Sequence, residues 1–242
     1  MPELLISKFV DKPFEENISF FKSTLMQIGF FNPHVFFNYN HKDLVQKIND
    51  NDIKIKSIHA PTIDIFQEHD FFGMLDKIKE EYPKIDNITI HPGSGNPLKA
   101  FKFFERFEDK IDSYEISFLY ENFDSSKKNK RWLPRARNIY SVPIKNIFLT
   151  YDTSHVKIGT DIVSDLKEFY PRLGMIHLSN KSRRVNHLPI YEGEHDLSKV
   201  VNYLQNYPGF VTLEYHNRDD TLMQDYSDLL TLFKNRGVNN SN

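Results

Sequence analysis

Six residues with metal-ligand chemistry stand where short apolar runs stop. His59 closes KIKSIH, His91 closes NITIH, Glu121 follows ISFLY and Asp152 follows IFLTY. His177 lies near the end of GMIHLSN, and Glu214 near the end of FVTLEY. Successive members fall 25 to 37 residues apart, about the length of one strand–helix unit. His155 and His187 sit just beyond two of these stops. One such histidine alone is more often an ordinary polar residue, and one carboxylate more often a cap. Eight of them at or beyond six strand ends form a pattern. The chain has no cysteine, so its ligands must be imidazole or carboxylate. That donor set suits zinc, manganese or iron better than calcium or magnesium. Glu121 has two oxygens and can bridge two ions. One ion would take His59, His91 and Glu121, and the other Glu121, Asp152, His177 and Glu214. One or two divalent ions are therefore expected, close enough for two-metal chemistry.

The elements that must carry these residues follow from two alternating periodicities. Strand-type runs occur at Leu4 to Val10, His34 to Phe37, Ile53 to His59, Asn87 to His91, Tyr114 to Tyr120, Ile147 to Tyr151, Met175 to Leu178 and Phe210 to Tyr215. Helical spacing fills most gaps. Asp11 and Pro13 read as a helix start, with Phe14, Ile18, Phe21 and Leu25 on one face. Phe71, Leu75 and Ile78 share another face, as do Leu222, Tyr226, Leu229 and Phe233. Eight strands separated by helices predict parallel crossovers and a closed α/β barrel, the (β/α)8 or TIM fold. In that fold, strand C-termini gather at one rim, which is where the six residues fall.

A chain of 242 residues fits one such barrel, expected over 1–238, with a polar tail at 239–242. The net charge of −2 gives no global pull toward nucleic acid or anionic membrane. No long uncharged apolar window and no signal-peptide pattern occur, so a cytoplasmic protein without a membrane partner is expected. Basic residues do cluster locally. Arg131 lies with Lys127, Lys128, Lys130, Arg135 and Arg137 around Trp132, and Lys181 and Arg183 follow His177. Lys181, Arg183 and Arg131 are expected to clamp substrate oxygens, and Trp132 to stack on a ring.

The strings IHAP, ITIHPG, ENF, YDTSH, HLSN, HLPIYEGEHD and VTLEY, spread between Lys54 and Tyr215, resemble the xylose-isomerase-like barrel superfamily. That superfamily contains endonuclease IV and the sugar-phosphate isomerases and epimerases. The resemblance implies that His59 and His91 belong to a first metal site. It makes Glu121 the bridge, and Asp152, His177 and Glu214 the rest of the second. His155 and His187 resemble the histidines of the endonuclease's third site. Its Asp-Arg-His string reads Val185, Asn186 and His187 here, so no carboxylate stands at 185, and at most two tightly held ions are expected. His155 and His187 would then contact substrate or hold a weak third ion. In the epimerases, Glu121, Asp152, His177 and Glu214 resemble a one-metal ligand set whose two glutamates move protons. Arg183 resembles an arginine that holds substrate oxygens there.

The favoured expectation is a metal-dependent phosphoester hydrolase, with Glu121, Glu214, His155 and His187 as its catalytic side chains. Its substrate would be small and phosphorylated or sugar-like, with nucleic acid disfavoured and abasic-site cleavage not expected. The alternative is a sugar or sugar-phosphate isomerase or epimerase using Glu121 and Glu214 with one ion. A barrel that takes up metal without turnover is a third reading.

Overall fold

The computed structural model describes residues 2–63, 66–91, 97–122 and 146–237. Its strands are β1 (Glu3–Phe9), β2 (Leu25–Gly29), β3 (Lys54–His59), β4 (Asn87–Ile90), β5 (Ser117–Glu121), β6 (Ile147–Asp152), β7 (Leu173–Leu178) and β8 (Phe210–Leu213). All are parallel, each pairs with its sequence neighbour, and β8 returns to β1, so the sheet closes as a barrel. The helices described are α1 (Lys12–Glu16), α2 (Pro33–Asn38), α3 (His41–Asp50), α4 (Glu68–Glu81), α5 (Pro97–Arg106), α6 (Glu108–Asp112), α7 (Ile162–Phe169), α8 (Ser198–Leu204) and α9 (Asp219–Gly237). Among the described residues, no helix is long and apolar enough to cross a membrane.

Alternation along each strand divides the molecule into two interiors. One set of side chains (Ile6, Ile28, Ile58, Ile88, Phe118 and Leu149 among them) is fully buried in the core between sheet and helices. α4 joins that core through Phe71, whose ring meets Phe103, Phe104 and Phe118 within about 6 Å. The alternate set faces the barrel lumen and is largely polar. Gln27 on β2 donates to Thr89 on β4 at 2.8 Å and reaches Met175 on β7 at 3.2 Å. Ser57, Thr89, Thr150, Met175 and Thr212 each stand two residues before a candidate ligand, which places those ligands one layer higher at the strand C-termini.

The second strand is not where the apolar run suggested. His34–Phe37 lies in α2, and the strand is Leu25–Gly29. Two local signals explain this. Asn32 caps α2 by accepting a hydrogen bond from the Val35 amide at 2.8 Å, with Pro33 at the first helical position. Upstream, α1 stops at Glu16, a 3-10 turn covers Ile18–Phe21, and Ser23 adopts φ 59°. Leu25 therefore starts a strand rather than ending a helix. The expected tail at 239–242 lies outside the described residues.

Candidate metal centre

His59, Glu121 and Asp152 are the last residues of β3, β5 and β6. His91 and Glu214 directly follow β4 and β8, and His177 is one residue from the end of β7. The closed register brings these ends together; Asp152 and His177, for example, are direct strand partners.

Glu121 is the hub. Its Oε2 lies 3.1 Å from His59 Nε2 and 3.5 Å from His91 Nε2. Its Oε1 faces the other way, 3.4 Å from His177 Nδ1 and 3.5 Å from His155 Nδ1. His177 Nδ1 also lies 2.8 Å from Glu214 Oε2. Donor atoms of His59, His91 and Glu121 lie within 4.8 Å of one another, and so do those of Glu121, Asp152, His177 and Glu214. Asp152, His155 and His187 form a third such group. An ion holding ligands at roughly 2 Å needs its donors about 3–4 Å apart, so these spacings fit.

The test of fit is hydrogen bonding. Asp152 Oδ2, both nitrogens of His177 and Glu214 Oε2 are buried without an aligned hydrogen-bond partner among the described residues. His177 Nδ1 and Glu214 Oε2 nevertheless approach to 2.8 Å, so their charges offset one another in part. Each unpaired buried atom costs on the order of 1–3 kcal/mol, and more when charged. A cation among these atoms removes that cost, and the cluster can hold one.

Carboxylates and imidazoles shift one another strongly in this pocket. Burial pushes Glu121 up, but the imidazoles of His91, His177 and His59 outweigh it and hold the carboxyl well below its usual range. Glu214 is likewise lowered, with burial opposed by His177 and His187. Asp152 is raised, because burial, Glu121 and Glu214 together outweigh its histidine neighbours. His177 is raised well above the usual imidazole value by Glu214 and Glu121 against burial, and His155 is raised by Asp152 and Glu121. His91 is pushed down to about 4, chiefly by burial.

A second tier of residues holds the ligands in place. Asn122 accepts from the Asp152 amide at 2.7 Å and donates to the Asp152 carbonyl at 3.2 Å. Its own carbonyl accepts from His155 Nδ1 at 2.9 Å, which fixes the ring's orientation. Thr153 donates to the Ser179 carbonyl at 2.6 Å, tying the ends of β6 and β7 together. His187 adopts φ 56°, a left-handed conformation uncommon outside glycine, though histidine takes it more readily than most. The Asn180–Leu188 bridge and the His216 amide, which donates to the His187 carbonyl at 3.2 Å, hold it there.

A cleft of about 200 Å3 opens over these groups. His59, His91, Glu121 and Glu214 contribute its floor, His155, His187 and His216 one side, and Phe9, Phe30 and Phe31 with Ala60 and Thr62 the other. The expected clamp residues are placed differently. Arg183 is 86% exposed and faces Glu194 at 3.7 Å, away from the cleft lining. Lys181 is buried and does not line the cleft either. Val185 is 49% exposed in a turn closed by Ser182, and Glu192 pairs with Arg218 at 3.7 Å. Arg131 and Trp132 lie outside the described residues.

Asn122 and the three phenylalanines escaped the sequence reading. Asn122 adjoins Glu121 in the string ENF, a weak signal, whereas nothing in the spacing of Phe9 and Phe31 relates them. Two histidines outside the candidate set have different surroundings. His41 is clamped between the Tyr82 hydroxyl and the Phe36 carbonyl, each at 2.7 Å, while His216 reaches the cleft with its ring 4.4 Å from that of His187.

Known structures share this architecture. A family 2 AP endonuclease from Brucella melitensis superposes with a TM-score of 0.70 at 15% identity, covering 93% of this chain and 98% of that one. A D-tagatose 3-epimerase-like protein gives 0.73 at 15%, covering 97% and 99%. Endonuclease IV from Thermus thermophilus gives 0.63 at 14%, covering 95% and 99%. At these identities the likeness speaks for the fold. No curated relative matches in sequence. The family model described as xylose isomerase-like TIM barrel matches residues 78–236, well over half of the chain. The chain belongs to the xylose isomerase-like TIM barrel family.

Proposed function

We propose that this protein is a divalent-metal-dependent phosphoester hydrolase acting on a small substrate, with two tightly held ions. The observation that carries the reading is the orientation of Glu121. One oxygen serves the His59–His91 group and the other faces His177 and His155, the arrangement expected of a bridging carboxylate. One-metal chemistry on Glu121, Asp152, His177 and Glu214 leaves His59 and His91 without a task.

His59, His91 and Glu121 would hold one ion, and Glu121, Asp152, His177 and Glu214 the other, with zinc or manganese preferred and iron acceptable. Bound there, the ions would supply Lewis-acid charge that acidifies water and offsets negative charge on phosphoryl oxygens. Glu214, whose Oε2 lies 2.8 Å from His177, would help orient the attacking water. His155 and His187, at the cleft side, donate hydrogen bonds to substrate oxygens or hold a weak third ion with Asp152. Asn122 and Asn180 fix the backbone from which these groups project. Neither Lys nor Arg lines the cleft among the described residues, and its volume suits a small molecule better than a duplex.

The second reading is sugar or sugar-phosphate isomerisation or epimerisation, with Glu121 and Glu214 moving the proton. The uncharged aromatic side of the cleft favours it, because a sugar presents C–H faces to such a surface. One experiment divides the two. Zinc- or manganese-loaded protein is given bis(p-nitrophenyl) phosphate in one arm, and a ketose in deuterated water, followed by NMR, in the other. Metal-dependent nitrophenol release that Glu121→Gln abolishes is expected. Deuterium entry next to the ketose carbonyl without ester cleavage would replace the hydrolase with the isomerase.

A further inference from the structure

Phe9 ends β1 and stacks on Phe31, with ring centroids 4.1 Å apart and planes 14° from parallel. The Phe9 ring also meets His59 at 5.2 Å, and His59 meets His91 at 4.7 Å. A continuous aromatic surface therefore descends from the rim to the candidate ligand layer. Phe31 is 57% exposed, a costly position for a side chain of this size and apolarity. Its neighbour Phe30 anchors the segment inward against Phe36 and His41 at 5.1 and 5.3 Å. Gly29 makes room for the stack, since a Cβ there would lie 2.8 Å from two atoms of the Phe9 ring.

Among the described residues, the surface occupies one side of the cleft. Imidazoles of His155, His187 and His216 stand on the β6–β8 side, and the β1–β2 side is aromatic. Such asymmetry orients a bound molecule. Oxygen donors turn toward the carboxylates and histidines, and the remainder lies on the phenylalanines. No described Lys or Arg lines that side, so a second anionic group would be left there without compensation.

We infer that the Phe9–Phe31 stack is a subsite for an uncharged ring, a sugar-ring face or an aryl group, carried by a substrate whose oxyanion end meets the metal centre. This rests on the metal-centre reading given under the proposed function. Methylphosphonate and phenylphosphonate test it, because they share a metal-binding head and differ by the ring. Calorimetry on the zinc-loaded protein is expected to show phenylphosphonate bound about tenfold more tightly. Phe31→Ala should narrow that ratio below about threefold, and Phe31→Leu, which keeps apolar area but loses the flat face, should fall between. Equal affinities in the unmodified protein, or a ratio unchanged in both variants, would overturn the subsite. Failure of methylphosphonate to bind the zinc-loaded protein at all would overturn the metal centre beneath it, a distinct result.

Discussion

Glu121 balances charge for two groups of histidines at once, and that makes it the most sensitive residue of the site. Glu121→Gln preserves shape and removes the charge shared by His59, His91 and His177. It should abolish the first ion and weaken the second at least tenfold, more than any other single ligand change. Titrating metal into stripped protein by calorimetry checks this, and unchanged stoichiometry would remove Glu121 as the bridge. His91 gives a prediction of opposite kind, for the metal-free protein. Its folded value is about 4 against an ordinary 6.5, so the unfolded chain takes up the proton first as acid is added. The His91 contribution is complete above pH 6.5 and is lost between 6.5 and 4, by about 2–3 kcal/mol after allowing for the 21% exposure of its side chain. His41, His195 and His216 are lowered in the same direction, chiefly by burial. His177 and His155, raised in the fold, act in the opposite direction. Urea midpoints of stripped parent and His91→Gln protein, compared across that range, should differ in slope, the parent losing more stability toward pH 4. The six strand-end residues were legible because a barrel collects strand C-termini and their types announce coordination. Phe9, Phe31 and Asn122 were not, because their roles arise from approaches across the rim that no sequence spacing encodes.

At the scale of elements, the segment from Ser179 to His195 carries more of the site than its lack of regular structure suggests. Asn180 is its staple. The side chain donates to the Ile190 and His195 carbonyls at 2.8 and 2.9 Å and accepts from the Lys181 and His195 amides at 2.8 and 3.0 Å. Gly193 passes so close that a Cβ would sit 2.1 Å from Asn180 Oδ1. These bonds hold the turn in which His187 keeps its left-handed backbone. Asn180→Ala strands four buried backbone groups and should cost on the order of 3 kcal/mol. Thermal melts measure that loss, and occupancy at the Asp152–His155–His187 group, followed with cobalt absorption, should fall with it. A variant as stable as the parent would show that the segment is held by other means. The same scale explains the misplaced second strand. The run from His34 to Phe37 is apolar enough for a strand, but Asn32 and Pro33 start a helix there. LMQIG carries a polar Gln27 in mid-strand because that position faces the lumen and bonds Thr89. A strand with a polar inward side chain breaks the buried-strand pattern and goes unnoticed.

For the whole molecule, the first proposed ion would be coupled to the barrel's β3–β4 seam. Most neighbouring strands share four or five register pairs, but β3 and β4 share two, Ile58 with Ile88 and His59 with Thr89. This is the thinnest seam in the sheet. The first proposed ion would take His59 from β3, His91 from the end of β4 and Glu121 from β5, and so would bridge that seam. Because the ligands converge only in the folded chain, binding energy becomes folding energy. At free metal one hundred times its dissociation constant, the gain is about 2.7 kcal/mol for one site. The gain should not be uniform along the sheet. Removing the ion leaves buried Glu121 facing imidazoles across a short ladder, whereas β1 and β2 lose nothing. Hydrogen exchange should therefore rise most at the amides of β3 and β4 when a chelator is added, including Ala60, which bonds the Thr89 carbonyl at 2.8 Å. Amides of β1 and β2, such as those paired between Ile6–Phe9 and Met26–Gly29, should change least. A chelator effect spread evenly over all eight strands, or absent from β3 and β4, would show that no ion ties this seam.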